Sequence, residues 1–248
     1  MKRILLLLLV FVLGGKLFAQ DDNKIVISGQ VTDFEGNPID SCAVILMQKN
    51  FNPAKMTFSD KTGHYKLQEV EKGRYIALLA IRLNEHPLSK RMFGIEPLTA
   101  ENLRLEFWAW NVVADRDLTI NPRYDRLELY GFRVFEVIGG SPFLMAYVRP
   151  MSMGKFLETG DIEDISPLKD DIQFQLFADK EPLAVRSVQT IEEYTGKNGK
   201  SQTAFIIQFD RPVKVTGDRC IFRIEATHKA FGGEKGENLF FHEWINYK

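Results

Sequence analysis

The sequence is short of the residues from which catalytic and metal sites are usually built. It has only four histidines, His64, His86, His228 and His242, and no His-Glu-x-x-His run. A zinc peptidase needs two imidazoles and a carboxylate in fixed geometry with an open fourth position, and that ligand set is missing. His242-Glu243 lies in an alternating segment, where neighbours point to opposite faces. Serine chemistry also lacks its signature. Gly139-Gly140-Ser141-Pro142 misses the second glycine of a nucleophile elbow and has no parallel α/β pattern around it, so it reads as a hairpin turn. These absences lead to an expectation of no catalytic residues, no metal and no cofactor.

Other absences bound the partners and the compartment. There is no excess of basic residues: the formal net charge is -1. A nucleic-acid partner would leave a basic footprint, so that class is excluded. Apart from the N-terminus, no apolar run approaches the ~20 residues of a membrane-spanning helix. Cysteine is scarce, with only Cys42 and Cys220. In Cys220-Ile221-Phe222-Arg223-Ile224-Glu225, Cys220 shares a face with Phe222 and Ile224, opposite Arg223 and Glu225, which makes it a buried free thiol. A Cys42–Cys220 bridge is the alternative, open to an exported chain but held to a tight distance requirement.

What is present begins with a targeting segment. Lys2 and Arg3 precede the unbroken apolar run Ile4–Leu13, and Leu17-Phe18-Ala19 leads into a polar start at Gln20. This is the layout of a secretory signal peptide over residues 1–19, with cleavage expected after Ala19. The apolar core is short for a spanning helix, so an uncleaved anchor is the lesser reading. No cysteine lies in or just after it, which argues against a lipid anchor by that route.

Beyond it, helical periodicity nearly vanishes and short alternating runs dominate, bounded by Gly, Pro, Asn and Asp. Strands are expected at Lys24–Asp33, Ala43–Lys49, Lys55–Ser59, His64–Val70, Gly73–Arg82, Leu103–Asn111 and Asp117–Ile120. Past Asn121-Pro122-Arg123 they continue at Arg126–Ile138, Phe143–Arg149, Asp171–Ala178, Ala184–Tyr194, Thr203–Phe209, Arg219–Ala226 and Asn238–Tyr247. Many short strands with frequent turns indicate an all-β chain of stacked sheets. Proline cannot continue a ladder, so Pro122 marks the expected boundary between a first sandwich, 24–121, and a second, 123–248. Lys197-Asn198-Gly199-Lys200 carries a strong hairpin dipeptide. Met151–Lys169 is expected to be a long loop with room for a short helix. Its acidic residues, Asp161, Glu163 and Asp164 with Asp170 and Asp171, match no EF-hand spacing and read as solvated surface.

Two features point beyond architecture. In Phe107-Trp108-Ala109-Trp110, Trp108 and Trp110 share one strand face, with Arg104 and Glu106. The two indoles are the candidate ligand-binding residues, as a platform on which a sugar could stack. The competing reading packs them between the two halves of the chain, and the high average burial of Trp favours it. Because Arg104 and Glu106 are charged, one end of that strand is expected to reach water.

The second feature is a resemblance. Ile27-Ser28-Gly29-Gln30-Val31-Thr32-Asp33-Phe34-Glu35-Gly36-Asn37-Pro38-Ile39 is followed by Ala43-Val44-Ile45, then by Ser59-Asp60-Lys61-Thr62-Gly63-His64-Tyr65-Lys66-Leu67 and Gly73-Arg74-Tyr75. This order of turns and strands resembles the carboxypeptidase regulatory-like family. The resemblance is clear over Lys24–Arg82 and looser to Ile120. It implies a transthyretin-like sandwich for the first half and a non-enzymatic module. Such modules are appended to surface peptidases, to outer-membrane receptors and to secreted proteins of Gram-negative bacteria. An immunoglobulin-like sandwich is expected for the second half from strand count. The combined expectation is an exported periplasmic or cell-surface protein that binds or scaffolds, with an envelope or outer-membrane protein, or a glycan, as partner; one alternative is a carbohydrate- or peptide-binding accessory protein of a nutrient-uptake system. A cryptic hydrolase is the remaining alternative; a cleft uniting His228, His242 and Glu243 would point to it.

Overall fold

The structure, a computed structural model, describes residues 23–162, 165–194, 196, 199, 201–214 and 217–244. The expected leader, 1–19, and the end of the last expected strand lie outside them.

The chain is all-β, and its strands form stacked sheets. Along the first half run β1 (Lys24–Gln30), β2 (Ala43–Met47), β3 (Pro53–Phe58), β4 (His64–Glu71), β5 (Gly73–Ile81), β6 (Phe107–Ala114) and β7 (Leu118–Thr119). The second half supplies β8 (Leu127–Glu136), β9 (Leu144–Ser152), β10 (Ile172–Ala178), β11 (Glu181–Leu183), β12 (Val185–Tyr194), β13 (Ser201–Phe209), β14 (Arg219–His228) and β15 (Glu234–Glu243). Two short helices, α1 (Ser89–Phe93) and α2 (Met153–Thr159), sit between strands. Helix α2 occupies the expected long loop. Ser152 caps it by accepting from the Lys155 backbone N–H, and Gly160 ends it in the left-handed region.

The described residues form three sheets: β4-β1-β7, β12-β13-β9-β8, and an eight-stranded sheet in the order β11-β10-β14-β15-β6-β5-β2-β3. The last crosses the expected boundary. Strand β15 from the end of the chain pairs in parallel with β6 from the first half, Leu239 opposite Ala109 and Phe240 opposite Trp110. The chain is thus not cut into two separate sandwiches at Pro122: one sheet runs through both halves and the other two cover its opposite faces.

Alternation explains how one strand serves two cores. Phe107 and Ala109 of β6 enter a core with Ile27, Val44, Leu67 and Leu78, under the three-stranded sheet. Trp108 and Trp110 enter the other core, with Leu79, Leu129, Val148, Phe205 and Phe222, under the four-stranded sheet. The seam between β6 and β15 is stitched by Asn238, which is fully buried. Its Oδ1 accepts from the Trp108 backbone N–H at 3.0 Å and its Nδ2 donates to the Leu129 carbonyl at 2.5 Å. One side chain thus joins β15 to β6 within a sheet and to β8 across the layers.

Cys42 and Cys220 are both free and buried. They lie in different cores, on opposite faces of the central sheet, so no bridge joins them. Burial pushes each thiol up to about 12. Cys220 shares its face with Phe222, Ile224 and Ala226, as alternation requires.

Candidate functional site

Trp108 and Trp110 share a face and lie in parallel, 4.8 Å between centroids and 13° between planes. They do not form an open platform: 8% and 9% of their surfaces are exposed. Tyr130 of β8 stands edge-on to both, at 6.2 Å and 5.6 Å, and closes over the pair. The expectation that this end of β6 reaches water fails at Glu106, whose side chain is only 13% exposed, although Arg104 keeps 27%.

The two indoles differ in their polar handles. The Trp108 Nε1–H donates to Glu128 Oε1 at 3.0 Å. The Trp110 Nε1–H is buried and has no partner among the described residues. Buried indole N–H groups usually find an acceptor, so Trp110 holds an unused donor.

Trp110 lines a cleft of about 800 Å³ at the edge of the second core, with Phe51, Tyr130, Phe132, Phe135, Tyr147 and Phe240 on its walls. Two backbone irregularities shape it. Asn111, next to Trp110, has φ 54, and Gly131 of β8 has φ 69. The β8–β9 register shifts between Tyr130 and Arg133, so Gly131 sits at a bulge, where a strand bends and re-aims its side chains. A Cβ on Gly131 would come 3.1 Å from the Tyr147 ring. Phe51, in a tight turn with φ 63, reaches the Trp110 ring edge-on at 6.5 Å and stays 48% exposed.

Much of the polar rim of this cleft is already spent. Tyr147 donates to Glu193 Oε2 at 2.5 Å and Arg149 to the same oxygen at 3.0 Å, while Arg149 also lies over the Tyr130 ring at 4.9 Å. Asn111 Nδ2 donates to the Phe241 carbonyl. Burial and the Glu193 carboxylate push the Tyr147 phenol up, so it stays neutral. The walls are therefore mainly apolar and aromatic, with the exposed Arg133 as an available polar group.

The remaining titratable clusters lie elsewhere. His228 and His242 stand at opposite ends of the β14–β15 hairpin, opposite Glu234 and Cys220 respectively, so no cleft unites His228, His242 and Glu243. His228 Nδ1 meets Ser152 Oγ at 3.2 Å, and Ser152 Oγ meets Glu234 Oε2 at 2.5 Å. One ring nitrogen thus faces both serine and acid, which is not a relay. Ser152 caps α2 and Glu234 accepts the Gly154 N–H, so this trio serves the helix start. A second carboxylate cluster, Glu106 with Glu128, was not singled out by the sequence. Among the described residues no group of three or more acids, histidines or cysteines is arranged to hold a metal ion.

No family model matches the chain, and no curated protein matches it. Solved structures do match at low similarity. The major pilin subunit of Bacillus cereus has a TM-score of 0.27 at 11% identity, over 88% of this chain and 69% of its own. The full-length major pilin of Corynebacterium diphtheriae has a TM-score of 0.27 at 7% identity, over 90% of this chain and 67% of its own. Scores this low support no inference from those proteins to this one.

Proposed function

We propose that this chain is an exported, non-enzymatic binding module of the cell envelope, and that its aromatic cleft holds an apolar or aromatic side chain from a segment of a partner protein. The observation that carries this reading is an open cleft of about 800 Å³ with mostly apolar and aromatic walls, edged by the half-exposed Phe51. A concave apolar site with a few placed polar groups is the usual form of a binding site. A glycan is served less well, because sugars need several hydrogen bonds at once and much of the rim is already committed. Export rests on the signal-like residues 1–19, and the regulatory-like reading of the first half rests on the motif order from Ile27 to Tyr75. Among the described residues no helix is long and apolar enough to cross a membrane.

The test is a titration of the purified protein with two probe sets, short peptides containing Phe, Trp or Leu and a panel of neutral oligosaccharides. The peptides are expected to bind, with Phe51→Ala weakening them by about fivefold or more, the loss of one substantial contact. Saturable binding of an oligosaccharide with silent peptides would replace this reading by the glycan one. Silence of both sets would remove the cleft as the binding site.

A further inference from the structure

Buried acids in this protein follow one pattern, and it is broken once. Glu85 is met by Arg82 at 3.0 Å and Arg104 at 3.1 Å, Glu234 by Arg126 at 3.3 Å, and Glu237 by Arg123 at 2.5 Å. Asp33 has Arg104 at 3.9 Å and satisfies its own turn. Glu128, 2% exposed, has no arginine or lysine at ion-pair distance among the described residues. Glu128 accepts from the Trp108 indole N–H and shares a side-chain hydrogen bond with a second acid, Glu106. Glu106 Oε2 is shut off from solvent and makes no hydrogen bond; it lies 3.1 Å from His86 Nε2, which pairs with it as a cation only when protonated. Arg149 acts on Glu128 only at longer range, being committed to Glu193 and the Tyr130 face.

Burying a carboxyl without a cation is costly, and here a retained proton does what an arginine does at the other buried acids. These two acids line one cavity of about 190 Å³. Its other walls are mostly apolar, including Leu88, Met92, Leu105, Met153 and Phe156. Met92 and Ile162, 55% and 43% exposed, lie where it meets the surface beside α1 and α2.

We propose that this cavity is a second binding site, for a small organic ammonium ion with an apolar tail, its –NH3+ held between Glu106 and Glu128. The head group takes the place of the retained proton and the tail covers the Met, Leu and Phe wall. A hydrated metal ion fits worse, since an apolar wall offers it no oxygen ligands.

The site carries its own proton linkage. Burial first, and then the neighbouring Glu106, hold the Glu128 carboxyl well above the usual carboxylate range, so the empty cavity keeps a proton. The groups around it are Glu106 just before β6, Trp108 from β6, His86 from the segment after β5, Tyr130 from β8 and Arg149 from β9. An entering ammonium ion displaces that proton to solvent: Glu128–COOH becomes carboxylate, the ligand keeps its charge, and one H+ is released. Affinity then rises with pH by up to about tenfold per unit while the free site is protonated, and levels off above that range.

The test is calorimetric and NMR titration of the full chain with hexylammonium, 1-hexanol and calcium chloride, reading the Trp108 indole N–H that touches Glu128. Hexylammonium is expected to saturate, to shift that resonance, and to bind at least about tenfold tighter than 1-hexanol, with affinity rising with pH. Glu128→Gln is expected to cost at least about tenfold and to flatten the pH dependence. Met92→Trp, at the exposed mouth, is expected to block binding in a folded protein, which keeps the test valid should the Glu128 variant not fold. Equal affinity for the alcohol, a Trp108 shift with calcium and none with the amine, or no saturation by hexylammonium would each overturn the proposal.

Discussion

Glu128 shows how much a single side chain carries here. Its folded-state carboxyl titrates above the unfolded value, so between the two the folded state binds the extra proton. Stability conferred on the protonated form is therefore present at and below the unfolded value, near 4.5, and is lost as pH rises through the folded one. Glu128→Gln keeps the shape and removes the titration. In the absence of ligand, we expect it to stabilise the protein by about 1–2 kcal/mol at neutral pH, with the advantage shrinking towards pH 4.5, as read by urea unfolding at several pH values. A constant difference across pH would show that the acid is not titrating. The two thiols make a second test. With both pushed up to about 12 and buried, neither is expected to react with a thiol reagent at pH 8 until the protein unfolds, when both should. The sequence made Cys220 legible, because alternation against Arg223 and Glu225 fixed its face. It also placed Trp108 and Trp110 together. It could not show the Glu106–Glu128 pair, since Glu106 lies just before β6 and Glu128 on β8 of a different sheet, and they meet only when the layers stack.

At the scale of elements, local chemistry explains the strands and fails at their long-range partners. The expected strands are present with modest shifts, β6 running 107–114 where 103–111 was expected. Strand β11 was missed, being three residues with Pro182 in the middle, and so was the five-residue α1. The run Phe107–Trp110 has large side chains on both faces, which is the mark of a strand covered on two sides, but nothing in it names β15 as its neighbour. That pairing is parallel and links positions more than a hundred residues apart. Its lock is Asn238. Asn238→Leu would leave the Trp108 N–H and the Leu129 carbonyl buried without partners, and is expected to cost about 2–3 kcal/mol by urea unfolding. Gly29 is the corresponding lock of the smallest sheet. A Cβ there would fall 1.8 Å from the Ile120 carbonyl oxygen, so Gly29→Ala is expected to cost about 3 kcal/mol and to loosen the β1–β7 pairing.

At the scale of the whole molecule, the shared sheet binds the two halves into one structure. A fragment ending at residue 121 would lose β15 from the edge of β6, Phe241 from the first core and the cover over Trp108 and Trp110. It is expected not to fold on its own, and the full chain to unfold in one transition followed identically by fluorescence and circular dichroism. A stable fragment would restore the two-sandwich description that the sequence suggested. The cleft exists because of this stacking. Its walls come from the turn after β2, from β6, β8 and β9, and from β15, so no single half of the chain could display it.

The most direct test of the account is the indole region of the NMR spectrum during titration with an aromatic peptide. Trp108, Trp110 and Trp244 are the only tryptophans, and Trp→Phe variants assign each signal. The account predicts that the indole signal of Trp110, which lines the cleft, shifts and saturates while that of Trp108, held by Glu128, stays in place. A peptide that binds without moving the Trp110 signal would contradict it.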